Sequence, residues 1–166
     1  LIKTQKNSGR LRLITSKSSP VFGGVYKLSA IEKDGKIIPK IKISENTAKI
    51  TNPHFKKTYR IYDNATGKAM ADVICIYDES IDESKPLTIF DPDYTWKKKT
   101  FSDFTAKELL IPIFINGKCV YDSPTVDQIR TYCQEQVSTL WDEVLRFENP
   151  HQYYVDGLTS LWSVST

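Results

Sequence analysis

Residues 57–77 read KTYRIYDNATGKAMADVICIY, and this stretch decides the fold. In its first part Tyr59 and Ile61 alternate with Arg60 and Tyr62, the period of two that marks a strand. Asn64-Ala65-Thr66-Gly67 is a turn by composition. The chain then runs back with Ala69, Ala71, Val73 and Cys75 on one face. Met70, Ile74 and Ile76 are also apolar, offset from that face. That offset predicts a bulge or burial on both faces. The stretch reads as an antiparallel hairpin.

A second hairpin precedes it. Phe22-Gly23-Gly24 is a tight turn feeding an alternating strand over 25–33. Asp34-Gly35 tolerates the positive φ of a type I′ turn, and 36–43 returns. Pro39 cannot donate to a ladder, and Lys36, Lys40 and Lys42 suit a solvent-facing edge. Residues 1–10 are polar, broken by Asn7-Ser8-Gly9, and are expected to be disordered or loosely docked. Residues 11–15 (LRLIT) alternate as a short strand, and 16–20 form a polar loop. After the hairpin, Ser44 can cap a helical turn running to Lys49, which Asn52-Pro53 ends.

Towards the C-terminus, 78–85 (DESIDESK) is an acidic connector and 86–91 (PLTIFD) a short strand. Residues 94–104 read as an ordered loop with strand character. Residues 109–115 (LLIPIFI) are expected to be a buried strand limited by Pro112. Asn116-Gly117 is a strong hairpin signal, with a return over 118–121. Ser123-Pro124 is expected to start one long helix, with Thr125 and Gln128 offering an alternative capping box. Val126, Ile129, Cys133, Val137, Leu140, Val144 and Phe147 step by three or four, an apolar stripe over 123–148. Such a helix would span roughly 35 Å. Asn149-Pro150 stops it. The tail, with Tyr153, Tyr154, Val155, Leu158, Leu161 and Trp162, is too apolar to be free and is expected to dock. The predicted fold is α+β, one domain over 1–166, in which antiparallel hairpins form a sheet beside one long C-terminal amphipathic helix.

Composition narrows the function. The net charge of +3 hides an asymmetry: residues 1–60 hold 14 Lys or Arg against 3 Asp or Glu, and 61–166 hold 9 against 17. Such a basic half, with Tyr26, Phe55, Tyr59 and Tyr62, can bind nucleic acid or another polyanion, or can simply be the solvent face of strands. No apolar run approaches the ~20 residues of a membrane span. Residues 1–7 lack the hydrophobic region of a secretory signal, so a cytoplasmic protein is expected. Cys75, Cys119 and Cys133 are widely spaced and odd in number, which favours free thiols over a disulfide framework. Gly23-Gly24 is too short for a phosphate cradle, and a strand follows it instead of a helix. His54 and His151 have no Ser, Cys or carboxylate at a suggestive spacing. Asp91 with Asp93, and Asp78, Glu79, Asp82 and Glu83, lack calcium-loop spacing and are expected to be solvated. The residues offer no catalytic constellation and no metal site.

Several ordered segments carry a resemblance. They are Arg12-Leu13-Ile14-Thr15, Phe22-Gly23-Gly24-Val25-Tyr26, Lys57-Thr58-Tyr59-Arg60-Ile61-Tyr62, Pro86-Leu87-Thr88-Ile89-Phe90-Asp91-Pro92, Leu140-Trp141-Asp142-Glu143 and Asn149-Pro150-His151. Their order resembles the C-terminal part of nicotinate phosphoribosyltransferase. The resemblance implies an enzyme of NAD biosynthesis that joins nicotinate to phosphoribosyl pyrophosphate, with Mg²⁺ and ATP. It implies that catalysis sits in an α/β barrel preceding this region, and that the domain packs on that barrel and on a second subunit of a homodimer. No cofactor is expected on this part, and alone it is expected to be inactive. Lys17, Ser44, Lys49, Thr51 and Lys56 are the candidate ligand contacts, from the basic half. The family's Phe-Gly-Val-Gly-Thr phosphate motif is replaced by Asn7-Ser8-Gly9-Arg10-Leu11. Where the family tends to carry Gly, this chain has His54.

Overall fold

A computed structural model describes residues 26–42, 52–91, 94, 96–158 and 160. The first hairpin pairs β1 (Ala30–Lys33) with β2 (Lys36–Pro39) as a two-stranded sheet. Asp34 and Gly35 take φ of 53° and 71°, as a type I′ turn requires. Both strands are shorter than the alternation predicts. The Gly23-Gly24 turn, the helical turn from Ser44 and everything before Tyr26 lie outside the described residues.

The decisive hairpin pairs β3 (Lys56–Asp63) with β4 (Ala69–Ile76), antiparallel. Its turn is held by the Asp63 carboxylate, which accepts the Ala65 and Thr66 amides at 2.7 and 3.1 Å. Gly67 supplies φ of 67°. The expected bulge is present. Ile61 pairs with Ala71 and Tyr62 with Ala69, so Met70 is the extra residue.

Around this hairpin stand β5 (Leu87–Phe90), β6 (Lys98–Phe101), β7 (Phe104–Glu108) and β10 (Tyr154–Gly157). The strand order is β6-β5-β10-β4-β3-β7. Most of the stretch expected to be a loop, 94–104, therefore ends as β6 and opens β7. The sheet is mixed rather than purely antiparallel, because β10 runs parallel to β4. The described part of the apolar tail docks on this chain as an interior strand, and Leu161 and Trp162 lie outside the described residues. The strand fills the gap between β4 and β5 that their connector leaves open.

One face of the sheet carries the core. Ile61, Ala71, Val73, Ile89, Phe101 and Phe104 form a single buried cluster, with Ile81 of the acidic connector packed against it. Ala69 and Cys75 are buried on the same face of β4. The opposite face carries Arg60, Asp72 and the hydrogen-bonded pair Thr88–Thr100.

Two expectations fail in the C-terminal third. Residues 109–113 are not a strand and are not buried. Only β8 (Phe114–Ile115) pairs with β9 (Lys118–Cys119), and both are exposed. Pro112 removes a ladder donor, and nothing in the described chain stands against either side of the hairpin. Asn116 and Gly117 do make its turn, at φ of 49° and 77°.

The long helix is also absent. In its place are α1 (Val126–Ser138) and a single turn, α2 (Asp142–Leu145). Thr125 is the N-cap, in a complete capping box with Gln128; Ser123 does not cap. The break has a local and a tertiary cause. The Ser138 and Thr139 hydroxyls donate to the carbonyls of Glu135 and Gln136, at 2.7 Å each, competing with the helix ladder. The β3–β4 hairpin then takes the next carbonyls. Lys68 Nζ donates to Ser138 O and Leu140 O, and the Ala69 amide to Thr139 O. No residue of α1 or α2 is buried, and Cys133 is exposed.

Candidate functional site

Lys56 is the described member of the predicted ligand contacts. Lys17, Ser44, Lys49 and Thr51 lie outside the described residues. Lys56 does not reach outward. Its ammonium donates to three carbonyls of the preceding turn: Asn52 at 2.6 Å, Pro53 at 3.2 Å and His54 at 2.9 Å. Three donors meet three acceptors, which leaves no hydrogen for a phosphate. Burial holds its pKa below the usual lysine value. The same turn is tied to the first hairpin, since the His54 amide donates to Ser29 O at 2.7 Å.

The second polar cluster lies on the open face of the sheet. Arg60 grips Asp72 with two nitrogens, Nε at 2.8 Å and Nη2 at 2.9 Å. Its Nη1 donates to Gln136 of α1 at 3.2 Å. The Tyr153 hydroxyl donates to Asp72 at 3.1 Å. One carboxylate thus ties β3, β4 and the segment entering β10, and its Arg partner reaches the helix. Asp72 holds the Arg60 guanidinium firmly protonated. Burial, and then the Asp72 charge, push the Tyr153 phenol above its ordinary range. A bidentate pair with three of its carboxylate's acceptor sites filled is a clamp between strands.

The acidic connector is likewise engaged. Glu79 accepts the Ile76 amide, Glu83 accepts the Ala106 amide, and Asp82 pairs with Lys85 at 2.8 Å. These carboxylates cap backbone and close a loop over the core, a role beyond solvation that spacing alone did not reveal. Among the described residues, no three His, Cys, Asp or Glu side chains converge as a metal site.

Two of the aromatic residues named for the basic half, Phe55 and Tyr59, are engaged within the fold, whereas Tyr26 is fully exposed. Phe55 stacks on Tyr77 at 4.2 Å between centroids. Lys57 lies over Tyr59 and Tyr77, and Lys99 over Phe101 and Tyr154. A further part of the open surface is apolar. The 109–120 segment and α1 leave Ile111, Phe114, Val126 and Tyr132 in solvent. That exposed apolar surface is the interactive feature the fold presents.

Residues 55–165 match the family described as nicotinate phosphoribosyltransferase C-terminal domain. The chain belongs to this family. A nicotinate phosphoribosyltransferase of Bacillus subtilis (strain 168) is 41% identical over 152 residues, which is 92% of this chain and 31% of that protein. One from Dictyostelium discoideum is 28% identical, over 90% of this chain and 27% of its own length. The crystal structure of human nicotinic acid phosphoribosyltransferase shares the fold, with a TM-score of 0.61 at 21% identity, over 69% of this chain and 23% of that one. The chain spans between about a quarter and a third of the length of the curated relatives it matches. No helix among the described residues is long and apolar enough to cross a membrane.

Proposed function

We propose that this chain serves a nicotinate phosphoribosyltransferase as a non-catalytic C-terminal domain. The whole enzyme would join nicotinate to phosphoribosyl pyrophosphate, coupled to ATP and Mg²⁺, in the cytoplasmic synthesis of NAD. The domain's part is to pack on the catalytic barrel and to support a homodimer. It binds none of the cofactors itself.

One observation carries this reading. The family match runs through 55–165, and among the described residues within it the less exposed charged groups serve the fold. Lys56 caps a turn, Arg60 and Asp72 clamp strands, and Glu79 and Glu83 hold backbone amides. The test is a transplant. The Bacillus subtilis relative, with its matching region replaced by this chain, is expected to keep phosphoribosyl transfer to nicotinate. Replacement by an unrelated domain of similar size is expected to abolish it. An inactive transplant that folds, or an active enzyme with the unrelated domain, overturns the proposal.

A further inference from the structure

The segment from 109 to 138 leaves the sheet at Leu109, whose amide still donates to Thr58 O on β3 at 2.9 Å, and returns to it only at the end of α1. Its anchor is the polar clasp of Gln136, Ser138, Thr139 and Leu140 on Arg60, Lys68 and Ala69. Between these ends it is an arm. Leu110, Ile111, Ile113, Phe114, Ile115 and Val120 are all exposed. Phe114 and Ile115 are neighbours in one strand and point to opposite faces, yet stand 68% and 50% exposed. An arm lying on a flat surface would leave one of those faces polar. Apolar groups on both faces need two walls.

The helix repeats the pattern. Val126, Ile129 and Val137 hold the helical spacing of a buried stripe, and none is buried. Monomeric proteins rarely leave a continuous apolar surface of this kind in water. The occupant is argued from length and position. The family match is to a C-terminal domain, and its relatives carry about two thirds of their chain beyond the region matched here. We infer that the arm of residues 109–138 is the docking element of this domain, entering a two-walled apolar cleft on the chain that precedes the domain in proteins of this family. This rests on the proposed role as a packing domain, and assigns that role to one arm.

The experiment compares the free 166-residue chain with the full-length transplant by amide hydrogen exchange. In the free chain, amides of 110–120 are expected to exchange within seconds. In the full-length protein they are expected to slow by about 100-fold or more, while β4 is protected in both. Ile111→Asp with Phe114→Asp is expected to leave the free chain's Tm within about 2 °C, because both side chains are already in water. The same pair is expected to lower the Tm of the full-length protein by several degrees. Equal exchange of the arm in both proteins overturns the inference, as does slow exchange in a free chain that weighs as a dimer, which would assign the arm to a second copy. Transplant activity is a separate readout: an active enzyme with an unprotected arm sinks only this inference.

Discussion

His54 carries φ of 88° without being glycine, in a turn whose carbonyls converge on Lys56. A side chain there is strained, and Gly is the residue that takes this conformation freely. His54→Gly is therefore expected to stabilise the chain by about 1 kcal/mol in urea titration, with the Ser29 contact kept. Asn52-Pro53 marked the turn in the sequence, but the positive φ at His54 was not legible there. Asp156 is buried on β10, one residue from the Gly157–Phe90 pair, and so faces Asp91. Burial and then the Asp91 charge raise its pKa, and Lys99 offsets this only in part. An acid raised on folding binds its proton more tightly in the native state. Stability from this group is thus greatest below its unfolded value, near pH 4, and falls as pH rises through the folded value. Asp156→Asn is expected to flatten that fall and to raise the urea midpoint at pH 7. A steeper fall in the variant would contradict the assignment.

Among elements, the clamp on Asp72 is the contact that joins most of them. Arg60→Met is expected to cost about 2 kcal/mol and Tyr153→Phe about 1 kcal/mol, since each removes a donor from a half-buried carboxylate. Because both act on Asp72, the double variant should depart from additivity, as measured by a double-mutant cycle. The hairpins were legible because their information is local: alternation in 57–63 and 69–76, and turn residues at Asp34-Gly35, Gly67 and Asn116-Gly117. The helix misled for a complementary reason. Its stripe from Val126 to Phe147 has the right period, but the hydroxyls of Ser138 and Thr139 and the distant Lys68 end it at 138. The Ser-Thr pair was the available signal; Lys68 is 70 residues away in sequence. Lys56 turns to its own turn because the carbonyls of Asn52, Pro53 and His54 converge on its ammonium, a tertiary arrangement that its place in the basic half did not announce.

For the molecule as a whole, the last strand matters most to folding. Since β10 lies between β4 and β5, a chain ending at Pro150 is expected to lose cooperative unfolding altogether, seen as a flat thermal melt by circular dichroism. The parallel pairing of β10 with β4 joins residues 83 positions apart, and no local pattern announces it. Thiol reactivity reports the same architecture. Cys75 is buried, with its thiol pushed up to about 11 by that burial, while Cys119 and Cys133 are exposed. A thiol reagent at pH 8 is expected to modify two cysteines of the native chain quickly and the third only in denaturant. The central claim concerns catalysis, and it is tested most directly by assaying the purified 166-residue chain, folded by circular dichroism, with nicotinate, phosphoribosyl pyrophosphate, ATP and Mg²⁺. The expected result is no nicotinate mononucleotide above the protein-free rate. Turnover by this chain would contradict the account, because it would place the chemistry in residues assigned here to turns, clamps and caps.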